Sequence, residues 1–254
     1  MLDSQAYRDA ACAAVSAKRS AIGDDVVATM YRNPFWDDRY GERGRRYSIE
    51  DGNYNLDFLT TALQLEDTAG LVHYITWLRA VLVNRGMCTE HLRLTLMATA
   101  DACDKKLEPE HGLLVRVYLD AALAGLDYTA PAAATLWDGA EAITHAAADL
   151  LWAEEPPPAV RGMNGGRERC LADLRYHLCY LADALDQGKP ALFNDYVTWV
   201  GAFFERRFGS RLGLDEGLGA LRQAIASHAP AEHLAAIFAC CDPAGVAAPR
   251  IALV

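Results

Sequence analysis

The sequence predicts an all-α protein of two tandem units, and three observations carry that prediction. Apolar residues recur at helical spacing along most of the 254 residues, and no run shows the alternation of a half-buried strand. The chain also repeats itself. One ungapped shift that sets Tyr54 on Tyr176 also sets Leu56, Leu59, Ala62 and Leu63 on Leu178, Leu181, Ala184 and Leu185. It continues through Tyr74, Thr76 and Trp77 against Tyr196, Thr198 and Trp199, and about 18 of the 63 columns from Arg39 to Asp101 are identical. The expected units are residues 1–127 and 128–254.

Taken in order, an alanine-rich helix is expected from about Ala6 to Tyr31, ended by Asn33 and Pro34. The next stretch, PFWDDRYGERGRRYS, is punctuated by glycine, holds Arg39, Arg43, Arg45 and Arg46, and reads as an ordered loop. Ser48 and Asp51 match a capping box, which predicts a helix from there to about Leu65. Thr68 is the expected cap of the following helix, and Gly86 its end. Helices near Glu90–Lys105 and Pro109–Ala124 complete the first unit.

Pro131 falls in the first turn of the second unit, and one helix is expected from about Ala132 to Trp152, broken by the prolines of EEPPP. A glycine- and arginine-rich loop, RGMNGGRER, then leads into the stretch RERCLADLRYHLCYLADALDQG, the second copy of the Ser48–Leu65 helix. Pro190 opens the next helix; shorter ones are expected at Leu214–Ala226 and Ala231–Cys240, with an irregular tail from Pro243.

Composition excludes several classes. A net charge of −10 leaves no general basic face for nucleic acid or an anionic membrane. No run is long and apolar enough to span a bilayer, and the acidic N-terminus is unlike a secretory leader, so a cytoplasmic protein is expected. The seven cysteines are dispersed and lack CxxC spacing, which predicts free thiols rather than a zinc site. HExxH, P-loop, GxSxG and Rossmann patterns are missing, and the one E-x-x-H, Glu108 to His111, is interrupted by Pro109.

Against that background the second-copy helix concentrates chemistry. Residues three and four apart share a helix face, so Cys170, Asp173 and His177 form one stripe, with Arg169 at its edge. Arg161, Arg167 and Arg169 precede or open the stripe, and Arg45 and its neighbours precede Asp51 in the first copy. In an acidic protein such clusters suit a carboxylate or phosphate ligand. Each member also has a plainer reading: Asp173 as a helix N-terminal charge, the arginines as partners of Glu168 and Asp173, His177 as a hydrogen-bonded interior residue. Tyr176, Tyr180, Tyr196 and Trp199 are by default core aromatics.

These residues resemble the chromophore helix of the phycobiliproteins, globin-like subunits that carry linear tetrapyrroles. Cys170, Leu171, Asp173, Leu178, Tyr180, Ala184 and Gly188 fall on matching columns without a gap, over about forty residues per unit. The phrase YHLCYLADAL followed by DYVTW is also similar to helical bilin modules of bacterial cobalamin-dependent light sensors, although this chain has no D-x-H-x-x-G cobalamin pattern. The resemblance implies two tandem globin-like units and a bilin such as biliverdin or phycocyanobilin. By it, Cys170 is the candidate thioether position, Asp173 the acceptor for inner pyrrole N–H groups, and Arg167 or Arg169 the partner of a propionate. Tyr176, Tyr196 and Trp199 would flank the pigment. The usual arginine between cysteine and aspartate is Ala172 here, and His177 lies outside the family pattern. In the first copy the cysteine column holds Ser48, so a ligand there would be non-covalent, around Arg45, Asp51, Tyr54 and Asn55.

The function this implies is a photosensory or pigment-carrying module and not an enzyme, with the tetrapyrrole as ligand and a second copy of the chain or a signalling protein as macromolecular partner. Haem binding through His177 is the alternative ligand reading. Acid–base catalysis by Asp173 and His177 on an anionic small molecule, or a bare scaffold for partners, are the readings outside that class.

Overall fold

The computed structural model describes residues 4–153 and 166–241, and within them every regular element is an α-helix. There are eleven: α1 Gln5–Met30, α2 Pro34–Leu65, α3 Thr68–Asn84, α4 Thr89–Lys106, α5 Pro109–Ala124, α6 Pro131–Asp138, α7 Ala140–Trp152, α8 Gly166–Asp186, α9 Pro190–Phe208, α10 Leu212–His228 and α11 Ala231–Cys241. None of the described helices is long and apolar enough to cross a membrane. The chain divides into two compact units: Met1–Val81 with Glu90–Asp127, and Leu82–Thr89 with Tyr128–Val254. The connection between α3 and α4 is thus part of the second unit.

In the first unit α1 packs along α2, and both meet α5. Ser4 caps α1, its hydroxyl accepting from the Tyr7 N–H at 3.3 Å. The segment read as an arginine loop is instead the beginning of α2, which Asn33 caps by accepting from the Phe35 N–H at 3.0 Å. Ser48 consequently sits inside the helix rather than at its start. Only Gly41, at φ 57° and ψ −160°, leaves helical geometry, so the glycines bend this stretch once without unwinding it. Phe35, Trp36 and Tyr40 surround the fully buried His91 of α4 at ring-centroid distances of 5.3, 5.1 and 6.0 Å, which anchors the arginine-rich turns by their aromatic side. The cap of α3 also differs from expectation: Asp67, not Thr68, accepts from the Gly70 N–H at 2.7 Å.

In the second unit α8 is the hub, packed by α6, α7, α9, α10 and α11. Residues from Tyr176 to Ala184 are buried all round, as a helix enclosed on every side requires. Ala133 of α6 and Ala182 of α8, both at 0% exposure, allow a close approach there. The single helix expected from Ala132 to Trp152 is two, α6 and α7, broken at Gly139. Arg167 and Arg169 belong to the first turn of α8 rather than to a loop. Arg161 and most of RGMNGGRER, like the tail from Pro243, lie outside the described residues.

The sequence repeat reappears as repeated geometry inside the two units. Tyr74 of α3 stacks on Phe58 of α2 with centroids 3.6 Å apart and planes at 11°; Tyr196 of α9 stacks on Tyr180 of α8 at 3.6 Å and 9°. Trp77 lies 6.1 Å from Tyr74, and Trp199 lies 6.4 Å from Tyr196. The helix ends match as well. Glu66 and Gly188 are both left-handed, at φ 55° and 60°, and the next residue of each, Asp67 or Lys189, donates its N–H to Ala62 or Ala184 at 2.9 and 2.8 Å.

Candidate functional site

The stripe on α8 exists as the spacing predicts, but most of it is dry. Cys170 is 6% exposed and His177 is 6% exposed, while Asp173 and Arg169 occupy a half-buried edge. Burial pushes the Cys170 thiol up to about 12, with the Asp173 carboxylate adding to the rise and Arg167 opposing it. Cys170 is therefore a neutral thiol at neutral pH, and a weak nucleophile as it stands. Burial also lowers His177 to about 4, so its imidazole is neutral. His177 Nδ1 shares a 2.7 Å hydrogen bond with the Tyr196 hydroxyl.

The carboxylate of Asp173 accepts from Arg169 Nε with both oxygens, at 3.1 Å each, an i, i+4 pair at the rim of the stripe. Arg167 turns instead to Asp149 on α7. Arg175 stacks on Trp137, its guanidinium carbon 4.5 Å from the ring centre. Tyr176 is buried at 3% and Trp199 is partly exposed beside Tyr196. The edge offers a guanidinium and a carboxylate, and one turn on His177 meets Tyr196, groups that suit a planar ligand bearing carboxylates and N–H donors.

The first copy uses its equivalents differently. Asn55 stands where His177 does, and accepts from the Tyr74 hydroxyl at 2.8 Å. Arg45 pairs with Asp37 at 2.8 Å and lies over the Tyr31 ring at 4.2 Å. Asp51 is exposed, and Tyr54 is 63% exposed, so these two offer surface rather than an enclosed site. Burial, followed by the field of Asp51, raises Tyr74 to about 12.

Sequence reasoning passed over a deeply buried carboxylate of the second unit. Asp183 is 1% exposed and accepts from the Thr89 N–H at 2.7 Å and from the Thr89 hydroxyl. Cys179, one turn before it, donates to Asp183 at 3.8 Å and meets the Tyr128 hydroxyl at 3.3 Å. Cys88 brings a third potential ligand atom within 4.8 Å of those of Cys179 and Asp183. The signal was present as an aspartate in the apolar run LCYLADAL; its partner across 94 positions was not. Thr89 bonds both carboxylate oxygens, which ties the cluster into a buried hydrogen-bond network. Comparisons of the chain with protein-family models, curated proteins and solved structures found no match.

Proposed function

We propose that this protein is a bilin-binding photosensory or pigment-carrying module built of two tandem globin-like units, with the tetrapyrrole held by the second. The observation that carries the reading is the rim of α8, where Arg169 and Asp173 present opposite charges on the stripe whose next turn, His177, meets Tyr196. A bilin supplies two carboxylates, inner N–H groups and a conjugated face, and this rim has a counterpart for each. When bound, the pigment supplies the light absorption. Arg169 would exchange Asp173 for a propionate, Asp173 would accept the pyrrole N–H groups, and the aromatic flank would limit rotation. Cys170, a buried and protonated thiol, is the position at which a thioether would form.

Co-expression with a bilin-producing pathway tests the reading. Coloured protein is expected; colour that persists after acid denaturation and is lost in Cys170→Ala marks a thioether at Cys170. Colourless protein after co-expression with both biliverdin and phycocyanobilin pathways would sink it.

The haem alternative draws on one observation, that His177 is a neutral imidazole whose Nδ1 is already bonded, as the outer nitrogen of a metal-bound histidine usually is. The same bond made by Asn55 to Tyr74 weighs against it, because asparagine there cannot serve as an axial ligand. Haem binding would show as a Soret band lost in His177→Ala.

A further inference from the structure

Two segments of the second unit bring metal-ligand atoms to one buried point. Cys179 and Asp183 stand four positions apart and share a face of α8, while Cys88 and Thr89 arrive from residues 82–89 of the same unit. Cys88, Cys179 and Asp183 are buried, at 1, 0 and 1% exposure. Their two sulfurs and a carboxylate oxygen all lie within 4.8 Å of one another. A tetrahedral zinc-type ion, about 2.3 Å from sulfur and about 2.0–2.2 Å from oxygen, sets its ligand atoms roughly 3.5–3.8 Å apart. The 3.8 Å from Cys179 Sγ to Asp183 Oδ2 already fits that spacing.

The groups around the cluster orient it. Thr89 donates its N–H and its hydroxyl to the two oxygens of Asp183, and each oxygen keeps a further lone pair for an ion. The Tyr128 hydroxyl, 3.3 Å from Cys179 Sγ, is placed to donate to a thiolate there. Charge balances as well: a divalent ion replaces the two thiol protons, which leave to solvent, so two thiols and a carboxylate carry the same net charge before and after binding. We infer that Cys88, Cys179 and Asp183 form a binding site for one zinc-class divalent ion, with a fourth position for water or the Tyr128 hydroxyl. Two thiolates favour such an ion over magnesium or calcium. The site does not depend on any pigment, and cysteine spacing hides it because its ligands come from the two halves of the chain.

The full chain, unfolded and refolded under reducing conditions with cobalt(II) as probe ion, tests this by absorption and metal content. Cys88→Ala leaves the Thr89 bonds to Asp183 in place, and circular dichroism checks that each variant retains its helices. The expected result is one ion per chain, with a thiolate-to-metal charge-transfer band that is lost in Cys88→Ala and in Cys179→Ala and kept in Cys170→Ala and Cys240→Ala. X-ray absorption of the zinc-loaded native chain needs no variant, and should show two sulfur neighbours at about 2.3 Å. A native chain that takes up no ion overturns the inference. So does a band that survives Cys88→Ala, a metal shell without sulfur, or a Cys88–Cys179 disulfide in place of the ion in chain isolated without reductant.

Discussion

The α2–α3 pair and the α8–α9 pair hold the same aromatic frame, yet one is a surface and the other a core. Tyr74 and Tyr196 each stack on the ring at the equivalent position, Phe58 or Tyr180, each lie beside an equivalent tryptophan, and each form a hydrogen bond through the hydroxyl. What differs is the surroundings. Asp51 and Tyr54 face outward on α2, while Asp173 is half-covered and Tyr176 buried on α8. The frame is shared scaffolding, and the copies differ in the residues set around it: Cys170 for Ser48, His177 for Asn55, Asp183 for Thr61.

The largest break in that comparison should come from Asp183. Replacing it with alanine strands the Thr89 N–H and hydroxyl in a dry interior and should cost about 3–4 kcal/mol in denaturant melts, against under about 0.5 kcal/mol for the exposed Thr61→Ala. His177 gives the next effect. Its folded value of about 4 lies below the ordinary 6.5, so the unfolded chain binds the proton more readily. Its contribution is complete above about pH 6.5 and falls away as pH drops toward 4, by about 3 kcal/mol in all. His177→Asn, which installs the first-copy residue, should flatten that part of the stability–pH curve.

A smaller contrast is expected at the tyrosines. Tyr196→Phe leaves the His177 nitrogen unpaired in the core and should cost about 1–2 kcal/mol, whereas Tyr74→Phe should cost about 0.5–1 kcal/mol because Asn55 is partly exposed to water. Smallest is the left-handed helix end: Gly188→Ala should cost about 1 kcal/mol, while Glu66→Ala changes no glycine and should show no backbone penalty of that kind. Thermal melts of the paired variants rank all of these.

Much of this frame was legible because its signals are local. Pro109, Pro131 and Pro190 each stand at the start of a helix, where a missing N–H costs nothing, and Gly86 and Gly188 follow helix ends with positive φ. The stretch before Ser48 was misread because its glycines and arginines resemble a loop. Arginine and glutamate favour helix, and Phe35 and Trp36 pin the segment against His91, so only Gly41 departs. Gly139 was hidden within a helix-favouring alanine run. At the candidate site, spacing alone placed Cys170, Asp173 and His177 on one face. Their partners were less accessible: the pairing of Arg169 with Asp173 was one of two open readings, and the bonds to Tyr196 and Thr89 depend on packing that no periodicity encodes.

On the proposed function, the second copy alone holds the pigment, at the Arg169–Asp173 rim. The visible spectrum and pigment content of protein loaded with biliverdin test it most directly, measured for the native chain, Asp173→Asn and Asp51→Asn. One pigment per chain, with a spectrum shifted or lost in Asp173→Asn and unchanged in Asp51→Asn, is the expected result. Equal responses at the two aspartates, or a spectrum indifferent to Asp173, would contradict it.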